Sequence, residues 1–101
     1  MQILCAADGS CIRSFGTKGS SIGSFSSPFA VVLDKSGNIV VADTENHRVQ
    51  VLRFSDGVCL RTIGSRGSNL GQFESPRDVA VDLIGRIIVT DAGNNRVQIF
   101  K

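Results

Sequence analysis

The sequence has no tryptophan and no tyrosine, one histidine, and two prolines among 101 residues. All six aromatics are phenylalanine, so the wide stacking surfaces of many nucleic-acid binders are missing. One histidine excludes a multi-histidine metal centre. The three cysteines, Cys5, Cys11 and Cys59, contain no CxxC and supply no zinc set. They cannot all pair within one chain, so reduced thiols in a cytoplasmic protein are expected. Charge of one sign is also scarce. Eleven Lys+Arg oppose nine Asp+Glu, and a net +2 gives no strong pull toward nucleic acid or anionic membrane. No apolar run approaches the eighteen or so residues of a membrane span. The opening Met1–Cys5 lacks a basic region followed by an apolar core, so no signal peptide is expected. Neither a metal nor a cofactor is expected.

What is present is a repeat. Shifting the sequence by 48 places residues 1–53 on 49–101 with about 23 identities. Phe25, Pro28, Asp34, Gly37, Asp43, Asn46 and Arg48 fall on Phe73, Pro76, Asp82, Gly85, Asp91, Asn94 and Arg96. Each repeat reads as four short strands: a at Phe29–Asp34, b at Asn38–Asp43, c at Arg48–Phe54 and d at Cys59–Ile63. A Gly/Ser-rich connection, Gly64–Ser75, leads to the next strand a. Valine, isoleucine and leucine dominate a and b, which predicts burial on both faces. Strand c alternates, with Val49 and Val51 on one face and Arg48 and Gln50 on the other. Arg61 among apolar neighbours marks d as an outer, half-exposed strand. Four antiparallel strands in 48 residues, with no 3.6-residue apolar period, predict an all-β fold of propeller blades. Residues 1–24 are read as the end of a preceding blade (strands c and d) with its connection. Residues 25–72 form a complete blade and connection, and 73–101 supply strands a to c of a second.

Three motifs carry a family resemblance. They are Pro28-Phe-Ala-Val-Val-Leu-Asp, Gly37-Asn-Ile-Val-Val-Ala-Asp43 and Asn46-His-Arg-Val-Gln-Val-Leu52. The second copy runs Pro76-Arg-Asp-Val-Ala-Val-Asp, Gly85-Arg-Ile-Ile-Val-Thr-Asp91 and Asn94-Asn-Arg-Val-Gln-Ile-Phe100. This pattern resembles the NHL repeat, and its Gly-x-x-Gly-Ser connection is similar to that of metazoan tripartite-motif NHL proteins. The resemblance implies a six-bladed propeller that binds RNA or protein. The chain holds about a third of one.

The repeated polar residues Asp43, Asn46, Arg48, Asp91, Asn94 and Arg96 read as architecture. Each Asp is expected to cap the b-to-c turn and to be satisfied by the strand-c arginine. Reaction-specific residues seldom recur by symmetry. The Gly-rich connections Gly16–Gly23 and Gly64–Gly71 lack the Gly-Lys-Ser/Thr ending and the helix of a phosphate loop. Cys11 and Cys59 fall at equivalent places on strand d, too far apart for a disulfide.

Candidate binding residues lie where d-to-a and b-to-c loops share one rim: Lys18, Phe29, Asn46, His47, Arg66, Arg77 and Asn95. Positions that differ between repeats are the informative ones. Arg77 suits a phosphate or base edge, and Phe29 suits stacking. The alternative puts Phe29 in the wall and pairs Arg77 with Asp78 or Glu74. His47 is replaced by Asn95 in the second repeat, which favours a structural or surface role over a ligand role.

Three functions follow. The first is a non-enzymatic platform binding RNA, and the second a protein-interaction scaffold. The third, a propeller lyase or lactonase, has Asp78 as its one inward carboxylate and ranks last. The open blade faces also predict either self-association, with three chains completing six blades, or the remainder of a longer parent chain.

Overall fold

The computed structural model describes residues 2–4, residue 9 and residues 11–101. For Ile3, Leu4 and residues 11–13 the backbone alone is described. The expectation for Cys5 lies outside the described residues.

Nine strands follow in chain order: β1 (Gln2–Leu4), β2 (Cys11–Ser14), β3 (Pro28–Leu33), β4 (Ile39–Asp43), β5 (Arg48–Leu52), β6 (Cys59–Ile63), β7 (Pro76–Val81), β8 (Ile87–Asp91) and β9 (Arg96–Phe100). They form a two-stranded sheet β1-β2, a four-stranded sheet β3-β4-β5-β6 and a three-stranded sheet β7-β8-β9, each antiparallel. Strands a to d of the central repeat are therefore β3 to β6, in the order expected. No helix among the described residues is long and apolar enough to cross a membrane.

Local chemistry sets the turns. Asp34 Oδ1 accepts the N–H groups of Ser36 (2.9 Å) and Asn38 (2.8 Å), folding the β3–β4 hairpin over Gly37 at φ 84°. A side chain with a Cβ is disfavoured at that φ, which is why glycine stands there. The β4–β5 corner is a single 3-10 turn, Thr44–Asn46, closed by His47 in the left-handed region; Ala92–Asn94 and Asn95 repeat it.

The two larger sheets pack face to face as neighbouring blades. Val40, Ala42, Val49, Val51 and Ile63 of the first join Phe73, Val79, Ile87 and Val89 of the second in one buried cluster. Phe73 is fully buried and meets Phe100 edge-on, with ring centroids 5.6 Å apart. A second cluster of Phe25, Ile39, Val41 and Leu52 lies on the opposite face of the first blade, where Phe15 and Cys59 cover it.

One sequence expectation needs correction. Strand a is not buried on both faces: Val31 is 60% exposed and Leu33 55%, whereas their counterparts Val79 and Val81 pack between blades. The cause is position, because β3 has no complete blade on its outer side. Strand c alternates as expected, with Val49 and Val51 in the inter-blade cluster and Gln50 beside Arg48 at Asp43. Gln50 is fully buried under the Gly/Ser connection, donating from Nε2 to Ser24 O (2.8 Å) and accepting from Gly23 N (3.0 Å).

Candidate functional site

Each blade is fastened by a buried carboxylate at the end of its second strand. Asp43 Oδ1 accepts from Ser26 N (2.8 Å). Its Oδ2 accepts from Asn46 Nδ2 (3.0 Å), Arg48 Nε (2.7 Å) and Gln50 Nε2 (3.1 Å). Asp91 repeats the set with Glu74 N (2.7 Å), Asn94 (3.0 Å), Arg96 (2.8 Å) and Gln98 (3.3 Å). Both aspartates are fully buried. Burial alone pushes the Asp91 carboxyl up, but the Asn94 amide, the Glu74 N–H and Arg96 together hold it below the ordinary 3.8.

The expected turn cap is absent here. Neither aspartate caps the 3-10 turn beside it. Each instead captures an N–H of the incoming d-to-a connection. Arg48 completes the clasp by donating to Ser20 O, Ser21 O and Ser24 O at 2.9 Å, and Asn46 donates to Gly19 O at 2.8 Å. The carboxylate thus ties a Gly/Ser segment with little apolar content to its blade. With both oxygens engaged by donors, it is shaped to hold structure.

This clasp brings the d-to-a and b-to-c loops to one rim. On that rim Arg66 donates from two nitrogens to the Glu74 carboxylate, each at 3.2 Å. His47 reaches across from the first blade, and its Nδ1 accepts from Ser75 N at 2.9 Å and lies 3.8 Å from Glu74 Oε2. Thr44 Oγ1 donates to Pro76 O at 2.6 Å. The b-to-c corner of one blade therefore plugs into the loop junction of the next. Lys18 and Glu45 sit in the matching cleft of the first blade, of about 390 Å³, with Ser26, Ser27 and Pro28.

Phe29 and Arg77 are the second residues of β3 and β7, strands that pack against each other. The Arg77 guanidinium lies 5.2 Å from the Phe29 ring centroid, and Phe29 is 61% exposed. Glu74 is taken by Arg66, and Asp78 Oδ1 accepts its neighbour's N–H, Val79 N, at 2.8 Å. Among the described residues no carboxylate pairs with Arg77.

The structure thus divides the sequence candidates. Phe29 and Arg77 meet, as do His47 and Arg66 through Glu74. Lys18 stands by the cleft, Asn46 serves the clasp, and Asn95 is exposed at the far corner. Glu74 was missed as a hub; its replacement of Ser26 was the available signal. Cys59 is a free thiol whose Sγ donates to Arg61 O at 3.4 Å, and it packs on the second cluster. Cys11 lies outside the described side chains. No group of three or more potential metal ligands occurs among the described residues.

Four-stranded and three-stranded antiparallel sheets stacked face to face at a 48-residue repeat define this chain as blades of a β-propeller. The sequence pattern described as "NHL repeat" matches residues 25–52 and 73–100, one stretch per blade. The chain belongs to the NHL-repeat family, whose blades build interaction surfaces. It is similar to the E3 ubiquitin-protein ligase TRIM71 of Bos taurus, 50% identical over 40 residues, which are 40% of this chain and 5% of that protein. The Gallus gallus and Rattus norvegicus proteins of the same name are 48% identical over 40 residues and 47% over 42. The match spans about a twentieth of those relatives.

Proposed function

We propose that this chain contributes to a non-enzymatic platform whose loop-bearing rim binds RNA, in keeping with a cytoplasmic location. The observation that supports this reading is the Arg77–Phe29 pair. A cation with no carboxylate partner lies over a largely exposed ring. A nucleobase has a flat face for that ring, and its phosphate an anion for that guanidinium. Lys18 adds positive charge to the same rim. Arg66 adds less, because Glu74 neutralises it.

Filter binding of the chain to a random RNA pool across a salt series tests the reading. Phosphate contacts predict affinity that falls steeply with salt. Arg77→Ala and Phe29→Ala should each weaken binding about tenfold, the size expected of one lost stacking contact. No retention at low salt, or unchanged affinity in both variants, refutes RNA binding and leaves a protein ligand for the rim.

A further inference from the structure

We infer that the rim opposite the Arg77–Phe29 pair docks on an anionic lipid surface, with Leu83 and Ile84 entering the headgroup layer. These two residues form the tip of the β7–β8 turn and are 96% and 74% exposed. Turn tips ordinarily carry glycine, asparagine, aspartate or serine. Nothing in this turn requires two aliphatic side chains in water, as the first blade shows. In its β3–β4 turn Asp34 Oδ1 accepts from Ser36 N and Asn38 N, and Gly37 N donates to Asp34 O at 3.0 Å. In the second blade Asp82 Oδ1 accepts from Ile84 N (3.0 Å) and Arg86 N (2.8 Å), and Gly85 N donates to Asp82 O at 3.1 Å. The bonds are the same, yet Lys35 and Ser36 stand where Leu83 and Ile84 do. The turn accepts polar residues unchanged, so the apolar pair serves a contact outside it.

A neighbouring blade does not cover such a tip. The two blades meet through opposite sides of the repeat, Val40 and Val49 of the first against Val79 and Val89 of the second. The β3–β4 turn therefore has a blade beside it on one side, and the β7–β8 turn has one on the other. Lys35, Ser36 and Gly37 stay exposed in the first case, and Leu83 and Ile84 in the second. Blades stack through their strand faces, and the hairpin tips project past the contact onto the rim.

The charges on this rim supply the complement to lipid. The β5–β6 loop shares the rim and brings Arg53 and Asp56 to it. Every carboxylate there is engaged. Asp56 accepts from Arg53 Nε (3.1 Å), Asp82 accepts from Arg86 Nε (2.6 Å), and Asp34 holds the N–H groups of its own turn. The cations are less committed. Lys35 is exposed and pairs with no carboxylate among the described residues. Arg53 and Arg86 donate from Nε alone, and their terminal nitrogens meet no acceptor among the described residues. In the clasp, by contrast, Arg48 and Arg96 give both terminal nitrogens to backbone carbonyls. The rim thus presents free donors around an apolar tip. Headgroup phosphates and carboxylates accept from those donors, and the acyl boundary takes Leu83 and Ile84. A continuous anionic surface reaches the cations of both blades at once, which a narrow protein groove does not. The net charge of +2 conceals this, because it sums over both rims.

Flotation of the 101-residue chain with lipid vesicles tests this. Vesicles of phosphatidylcholine with about 30% phosphatidylserine should carry the chain upward, and pure phosphatidylcholine should carry at least about fivefold less, the size expected of one cation at an anionic surface. Leu83→Ser with Ile84→Ser should lower the partition coefficient at least about tenfold, because two aliphatic side chains no longer leave water. Ser36 already occupies the equivalent of Ile84, and an unchanged far-UV circular dichroism spectrum shows that the double variant folds. Lys35→Gln should lower partition about fivefold on the anionic vesicles only. Ser36→Ile, which copies Ile84 into the first blade, should raise it at least about tenfold. No flotation with the anionic vesicles overturns the inference and leaves the apolar pair for a protein partner. Equal flotation of the wild type and the double variant overturns it too, as does equal partition into the two kinds of vesicle.

Discussion

Asp43→Asn is the sharpest test of what holds a blade together. The substitution changes no volume and removes one charge. Asp43 now offers four acceptor sites to four donors, from Ser26, Asn46, Arg48 and Gln50. An asparagine offers one oxygen and one NH2. With its oxygen toward Ser26, the NH2 faces three donors; reversed, it faces Ser26 N–H. Either way a buried donor opposes a donor. The charge-assisted bond to Arg48, at 2.7 Å, is worth about 1.5–3 kcal/mol. Stranding a buried donor costs about 1–3 kcal/mol more. Arg48 keeps its three backbone carbonyls, which limits the loss. The expected destabilisation is about 3 kcal/mol, roughly a hundredfold or more in the folding equilibrium. At a urea dependence of about 1–1.5 kcal/mol/M for a small chain, the midpoint falls by about 2 M. Without Trp or Tyr the readout is far-UV circular dichroism, at one fixed protein concentration. Asp34→Asn is the control. Asp34 Oδ1 accepts both N–H groups of its turn, which an amide oxygen does equally well. A midpoint shift for Asp43→Asn no larger than that for Asp34→Asn would refute the buried clasp.

Two further outcomes follow from the same contacts. The folded-state Asp91 carboxyl titrates below its ordinary 3.8, so its contribution is present above that value and is lost as pH falls through the lower folded value. Stability measured between pH 5 and 2 should drop on the acid side, and Asp91→Asn should flatten that limb while lowering stability at pH 7. Gly64→Ala should destabilise by at least about 2 kcal/mol: left-handed backbone costs about 1–3 kcal/mol, and its Cβ would lie 2.3 Å from the buried Phe73 ring. Gly37→Ala, at φ 84° with open space around it, should show the backbone part alone, and equal losses for the two would mean that Gly64 is not under the ring.

Much of the architecture was legible because it repeats. A 48-residue shift exposes the residues that every blade must keep, and strand boundaries follow from Asp-x-x-Gly turns and β-branched runs within a residue or two. Burial was less legible. Val31 and Val79 are the same residue in the same place of the repeat, yet one is exposed and the other buried. No local pattern distinguishes them, because the difference lies in whether a neighbouring blade is present. Gln50 reads as the polar side of an alternating strand, and only the segment folded over it makes it core.

The candidate surface shows the same division. The sequence offered Arg77 to a phosphate or base edge, or to Asp78 or Glu74, and did not place it over Phe29. Glu74 instead goes to Arg66, Asp78 turns to its own strand, and the ring remains for Arg77. That choice needs the distance between two strands 48 residues apart.

The sequence by itself determined the period, the strands, the turn residues and the NHL family, since these rest on local geometry and recurring residue types. Only the tertiary structure decided which strand faces stay open and where each buried carboxylate's bonds go. It also decided that Arg77 has no acid partner among the described residues. Those properties depend on what lies across a gap between segments distant in sequence, and packing alone sets that.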